Sequence, residues 1–253
     1  KTQSLNCFSH HAPKLDWMEQ YFTFKNEFKE KNTLGSQMFS FFKRFLKDAD
    51  LLDDNGFTRF AEIISDIGLD ENLSWALMLA NLAYNPQIGW YICNISFGET
   101  MSKEYVCSML VDSGADEKWV NDVWSSLARI LDLPFSHVGL GEMVKEKNKA
   151  VALYRTGWQV PDERVILYSL YQFSEKCGNF KQFTLTRLLD TSIESDGISP
   201  TQIFGLNRDT MEKVLNGLTF NYPDLIEARF TLGLDNITLK SNKSAEEILN
   251  ELF

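Results

Sequence analysis

Glycine and proline are scarce in this chain, 14 and 6 of 253 residues, which argues against a many-turned β-sandwich and for helices joined by short connections. Cysteine is scarcer still. Cys7, Cys93, Cys107 and Cys177 lie far apart with no CxxC pair, so no disulfide framework is expected and a reducing cytoplasm is the expected location. Three histidines, His10, His11 and His137, and the lack of a GxSxG motif leave little for Ser-His-Asp chemistry. Gly139-Leu140-Gly141 is followed by neither GxxG nor GK[ST], so it reads as a turn and not as a phosphate cradle. No apolar run approaches the roughly 18 to 20 residues of a membrane span. Trp75 to Tyr84 is bounded by Asp70, Glu71 and Pro86 and reads as a buried helix, so no membrane partner is expected. Positive charge is also short: 25 Lys and Arg against 35 Asp and Glu give a net charge of -10. A molecule of that charge repels phosphate backbones as a whole, and any nucleic-acid contact must come from a local basic patch.

What is plentiful is apolar and aromatic: 44% hydrophobic residues and 13% aromatic ones are enough for a sizeable core. Their spacing predicts amphipathic helices over 15–30 and 33–48, a polar turn at Asp53-Asp54-Asn55-Gly56, and a helix from Thr58, its N-cap, to Ile67 before Gly68. A buried helix follows over 72–84. The stretch Ile88 to Phe97 reads as a strand or an ambiguous buried segment. Ser102 and Asp116 are expected to cap helices over 103–111 and 117–131, and 150–154 to return as a hairpin strand. Trp17, Trp90, Trp119 and Trp158 read as core anchors. Farther on, the pattern predicts a helix from Pro161 to Gly178, a Thr184-capped helix, a helix opened by Asn207 or Asp209, and a hairpin of 225–230 with 235–239. Helices followed by a hairpin are in winged-helix order. The expected fold is mainly α with short β-hairpins: tandem winged-helix-like units packed as one compact body, with divisions at 1–68, 69–158 and 159–253.

Few residues carry chemistry. Cys7, His10 and His11 are the only cluster of soft ligands, and Cys-x-x-His is half of a metal site that ligands upstream of Lys1 would have to complete. The acids of Asp48-Ala49-Asp50, Asp53-Asp54 and Glu246-Glu247 read as solvated surface charge ahead of a two-metal nuclease site. Two basic groups stand out as DNA-contact candidates. Lys43, Arg44 and Lys47 fall on the exposed side of the second helix, and Lys145, Lys147, Lys149 and Arg155 gather about the 150–154 hairpin. Glu142 and Glu146 beside the lysines favour the plainer reading of a solvated face. No catalytic residue and no cofactor of its own is assigned to the chain. It begins at Lys1 without an initiator Met, and reads as a fragment or the ordered part of something longer.

Several stretches resemble a known family. They are Lys14-Leu15-Asp16-Trp17 shortly after a cysteine, Asn81-Leu82-Ala83-Tyr84-Asn85-Pro86 followed by Trp90-Tyr91, Ile166-Leu167-Tyr168-Ser169-Leu170-Tyr171 with Glu175-Lys176, Ile203-Phe204-Gly205-Leu206, and Leu234-Asp235-Asn236-Ile237-Thr238-Leu239. In this order and spacing they are similar to the C-terminal region of phosphoadenosine phosphosulfate reductase-like proteins of bacterial DNA phosphorothioation and phage-defence loci. A more distant similarity is to a domain of unknown function encoded beside phosphorothioation genes, some members of which are thought to nick DNA. The resemblance implies an accessory region that positions DNA or partner subunits while chemistry occurs elsewhere; a stand-alone nickase or restriction component, or an acidic protein-interaction scaffold, are the alternatives. It also implies an upstream nucleotide-binding domain with a Ser-Gly-Gly-type loop, which this sequence lacks, and an iron–sulfur cluster, or a zinc ion, in a longer parent. Cys7 falls where the last of the cluster cysteines would stand, without partner cysteines.

Overall fold

The computed structural model describes residues 4–193, 195–231 and 234–253. They form a mainly helical protein with two small antiparallel sheets, and the contacts divide the chain into two compact units, Lys1–Thr156 and Gly157–Phe253.

The first unit opens with α1 (Leu15–Phe24), a 3-10 turn at Lys25–Glu27, α2 (Phe28–Lys31) and α3 (Ser36–Asp48). The helix expected over 15–30 is broken at Lys25, whose φ of 48° lies in the left-handed region. Trp17, Tyr21, Phe28, Phe42 and Phe45 form an aromatic core between these helices, with Trp17, Tyr21 and Phe28 edge-on to their neighbours and Phe42 stacked on Phe45. α4 (Arg59–Ile67) begins where Thr58 Oγ1 accepts the Ala61 N–H, and Gly68, at φ 97°, ends it. α5 (Asn72–Leu82) is apolar on every side and is buried from Ser74 to Leu82.

The stretch that reads as a strand or an ambiguous segment is a helix, α6 (Pro86–Asn94). Asn85 Oδ1 accepts the N–H groups of Gln87 and Ile88, and Pro86 occupies the first helical position, where its missing N–H costs nothing. Local capping overrides the β-branched and aromatic composition. Then come β1 (Thr100–Ser102), α7 (Lys103–Asp112) capped by Ser102 Oγ, α8 (Val120–Leu131), a 3-10 turn at Pro134–Val138, β2 (Glu142–Glu146) and β3 (Lys149–Tyr154). α8 starts three residues later than expected, because Asp116 caps a turn through the Lys118 N–H. Trp119, expected in the core, sits at the helix entry, 43% exposed with Lys118 Nζ over its ring. Trp17, Trp90 and Trp158 are buried. β1 pairs with β3 and β3 with β2, giving the sheet order β1-β3-β2.

The second unit runs α9 (Glu163–Lys176), β4 (Gln182–Thr184), α10 (Leu185–Leu189), α11 (Pro200–Phe204), α12 (Arg208–Asn221), β5 (Ile226–Thr231), β6 (Leu234–Leu239) and α13 (Ala245–Leu252). Thr184 and Asn207 cap α10 and α12 as their positions predict. The turn joining β5 to β6 includes residues 232–233, which lie outside the described residues. The second sheet has the order β4-β6-β5. Each sheet therefore places its third strand between the other two, and in each the last two strands follow the helices.

Candidate nucleic-acid interface

The hairpin β2–β3 owes its geometry to two residues. Lys147 and Asn148 both have positive φ, 47° and 65°, in a two-residue connection between Glu146 and Lys149, which are paired across the strands. Such a turn has the twist that antiparallel strands require. A register shift between Val144 and Lys145 bends the β2 strand, and Lys145 Nζ bonds Asp132 Oδ1 at 2.7 Å just beyond the end of α8.

Between this hairpin, α8 and the start of α7 runs an open groove. Lys103, Arg129, Lys145 and Lys149 line it together with the carboxylates Glu104 and Asp132, over a floor that includes Trp124. Four cations against two acids make it locally basic in a chain of net charge -10. The structure thus brings Lys145 and Lys149 together, and Lys147 is exposed at the adjoining turn. Lys103 and Arg129 are not marked by the sequence. Each stands alone in an otherwise apolar or acidic helix segment, and only the packing of α7 on α8 and the return of the hairpin assemble them with the lysines.

Arg155 does not belong to this surface. It is buried, and its guanidinium donates to the carbonyl oxygens of Ile92 (2.7 Å), Ile95 (3.2 Å) and Gly139 (3.4 Å), with its carbon 4.3 Å from the Phe97 ring centroid. Burial pushes its pKa down to about 10. It joins the end of α6 to the approach to the hairpin, and does so from within.

Lys43, Arg44 and Lys47 are exposed on α3 as expected. Arg44 Nε pairs with Asp48 at 3.3 Å and Lys47 Nζ with Asp54 at 2.6 Å, and the Lys47 bond and charge hold the Asp54 carboxyl below its usual range. Lys43 lines a different cavity, beside α1 and α2. In the second unit, Arg208 is tied to Glu212 and Asp235, and Arg229 to Glu227.

Cys7 is buried, its N–H donating to Gln87 Oε1 at 3.0 Å, and its thiol is pushed up in pKa by that burial. The rings of His10 and His11 lie 4.0 Å apart, and His11 also packs on Phe41. Burial, then the charges of His10 and Arg129, lower the His11 pKa. Among the described residues no group of three or more His, Cys, Asp or Glu side chains is placed to hold a metal ion. Nor is any helix there long and apolar enough to cross a membrane.

The sequence stretches that carry the family resemblance are occupied structurally. Asn81 Nδ2 donates to Ala49 O, and Asn85, besides capping α6, donates to Asp48 Oδ2. Trp90 Nε1 bonds Ser113 Oγ, Tyr91 Oη bonds Leu140 O, and Tyr171 Oη bonds Leu225 O. No family model, curated protein or solved structure matches the chain.

Proposed function

We propose that the chain is a non-catalytic DNA-positioning region, the accessory part of a phosphoadenosine phosphosulfate reductase-like protein, working with other subunits of a bacterial DNA sulfur-modification or phage-defence complex in the cytoplasm. The observation that carries the reading is the groove of Lys103, Arg129, Lys145 and Lys149 between α8 and the β2–β3 hairpin. The element order supports it. A strand, two helices and a hairpin whose last strand enters the middle of the sheet suit a winged-helix reading, in which α8 would be the recognition helix and 142–154 the wing. The second unit also ends in a hairpin, β5–β6, but with three helices, α10 to α12, between its first strand and that hairpin, and its Arg208 and Arg229 are paired with acids.

Binding to a short DNA duplex, followed across a salt titration, tests this. Wild-type affinity should fall steeply with salt. The quadruple variant K103A/R129A/K145A/K149A should bind weakly with a salt slope shallower by about 3 to 4, since each phosphate left without its cation releases one counterion fewer. Absence of wild-type binding at low salt, or unchanged binding by the variant, would overturn the proposal in favour of an acidic protein-interaction scaffold.

A further inference from the structure

The two outer edges of the second sheet are finished differently. On β5, the N–H groups of Ile226 and Ala228 point away from β6 and are met from within the unit, by Tyr222 O at 3.1 Å and Thr219 Oγ1 at 2.9 Å. Closing an edge in this way keeps other strands off it. β4, the opposite edge, is open. Leu239 N–H donates to Lys181 O at 2.8 Å, and Gln182 stands opposite Thr238. In this antiparallel register the main-chain groups of Lys181 and Phe183 turn toward β6, and those of Gln182 and Thr184 turn away from it. Gln182 N–H, Gln182 O and Thr184 N–H make no hydrogen bond among the described residues.

Along that edge runs an open groove of about 840 Å³, within the roughly 300–1,000 Å³ of ligand sites. No residue of β6 lines it, which places it on the outer side of β4. Cys177 and Gly178, just past α9, and Ser195 and Asp196 complete its walls. Phe180 also lines it and is 70% exposed, an apolar surface beside an unpaired strand. Lys176 and Arg187 are balanced by Glu175 and Asp196, and the Arg187 charge already acts on Asp190, so charge does not select what enters.

We infer that β4 takes up an extended segment of a partner protein as an added antiparallel strand, with an apolar side chain of that segment on Phe180. Recognition is by the main chain. The partner residue opposite Gln182 exchanges both hydrogen bonds with it, and the partner carbonyl two residues earlier accepts from Thr184 N–H. A second copy of this chain does not suit the edge, because its own β4 carries the same walls and these would meet before the strands do. The site lies within 157–253 and shares no residue with the basic groove, so it stands whether or not duplex DNA binds there.

The test pans a phage-displayed library of random heptapeptides against the full chain, then titrates the consensus peptide calorimetrically into wild type and variants. The consensus should have apolar residues at alternate positions and no central proline. N-methylation of the one peptide residue opposite Gln182 should weaken binding roughly tenfold, and of either neighbour by less than about twofold, since neighbouring N–H groups point the other way. Gln182→Pro removes an N–H that the sheet does not use and should also lose roughly tenfold, while Gln182→Ala keeps the main chain and should bind as wild type. Cooperative thermal unfolding checks the fold of Gln182→Pro, and the N-methyl series decides the question without any variant. Enrichment of no peptide, full binding by a folded Gln182→Pro, or equal losses from N-methylation at consecutive positions would overturn the inference. So would a dimer in sedimentation velocity that Gln182→Pro abolishes, which would assign the edge to a second copy.

Discussion

Arg155 shows how far a single side chain can depart from what its neighbours in sequence suggest. It follows three lysines within ten residues and reads as part of a basic hairpin, yet it is buried just past the end of β3 and gives its donors to the carbonyls at the end of α6. Helix ends leave carbonyls without intrahelical partners, and a cation there satisfies the hydrogen bonds and the negative end of the helix dipole together. Even with its pKa lowered to about 10 the guanidinium stays charged at neutral pH. Replacing it with Leu should destabilise the first unit by about 3 kcal/mol or more, since buried carbonyls lose a charged donor. Urea unfolding followed by far-UV circular dichroism measures this, and a cost below about 1 kcal/mol would show that those carbonyls find other donors. Nothing local in the sequence marks Arg155 as internal, because its acceptors are backbone atoms about sixteen and sixty residues away.

Elements are legible where their ends carry capping residues, and misleading where composition is weighed above those residues. Thr58, Ser102, Thr184 and Asn207 each cap the helix that their position announces. Asn85-Pro86 is an equally good start signal for α6, and Ser244-x-x-Glu247 forms a complete capping box for α13, a helix that the periodicity alone does not announce. The hairpin β2–β3 is visible as a charged stretch returning to an apolar one, but its turn type is not, because Lys-Asn is an uncommon pair at two positive-φ positions. Asn148→Gly should therefore stabilise the unit by roughly 0.5 kcal/mol, since glycine adopts that conformation without strain; thermal unfolding would show a rise in Tm, and a fall would mean the turn is not of this type. In the second unit Asp235 of β6 performs a comparable task. Its carboxylate is partly desolvated, which works against ionisation, but the Thr186 N–H and hydroxyl and the Arg208 charge outweigh this and hold its pKa below the ordinary value. A depressed carboxylate contributes stability above its unfolded pKa of about 3.9, and loses it as pH falls through the lower folded value. The acid limb of stability between about pH 5 and 2 should accordingly be shallower in Asp235→Asn than in wild type. Identical acid limbs would assign the pH dependence to other carboxylates.

At the scale of the whole molecule, net charge and local charge give opposite forecasts, and geometry decides between them. A chain at -10 should be repelled by DNA at long range, but repulsion between exposed charges is cut off within roughly 10 Å at 0.1 M salt, so a groove holding four cations acts on its own neighbourhood. The groove is only half readable from sequence: the hairpin lysines are visible as a cluster, whereas Lys103 and Arg129 join them through helix packing. It is built wholly within residues 1–156, and the division of the chain at Thr156–Gly157 places no groove residue in the second unit. That second unit has a core of its own, with Leu170, Tyr171, Ile203, Phe204, Leu215, Ile226, Ile237 and Ile248 all buried, and Gly157 packs so closely on the Gly205 carbonyl that a β-carbon would run into it. Its length is within the range of single domains. Expressed separately, 157–253 should unfold cooperatively on heating and fail to bind duplex DNA, while 1–156 should retain the duplex affinity and salt slope of the full chain. Binding confined to 157–253 would move the interface to α12 and β5–β6 and discard the basic groove; a molten 157–253 fragment would show that its core is completed by the rest of the chain.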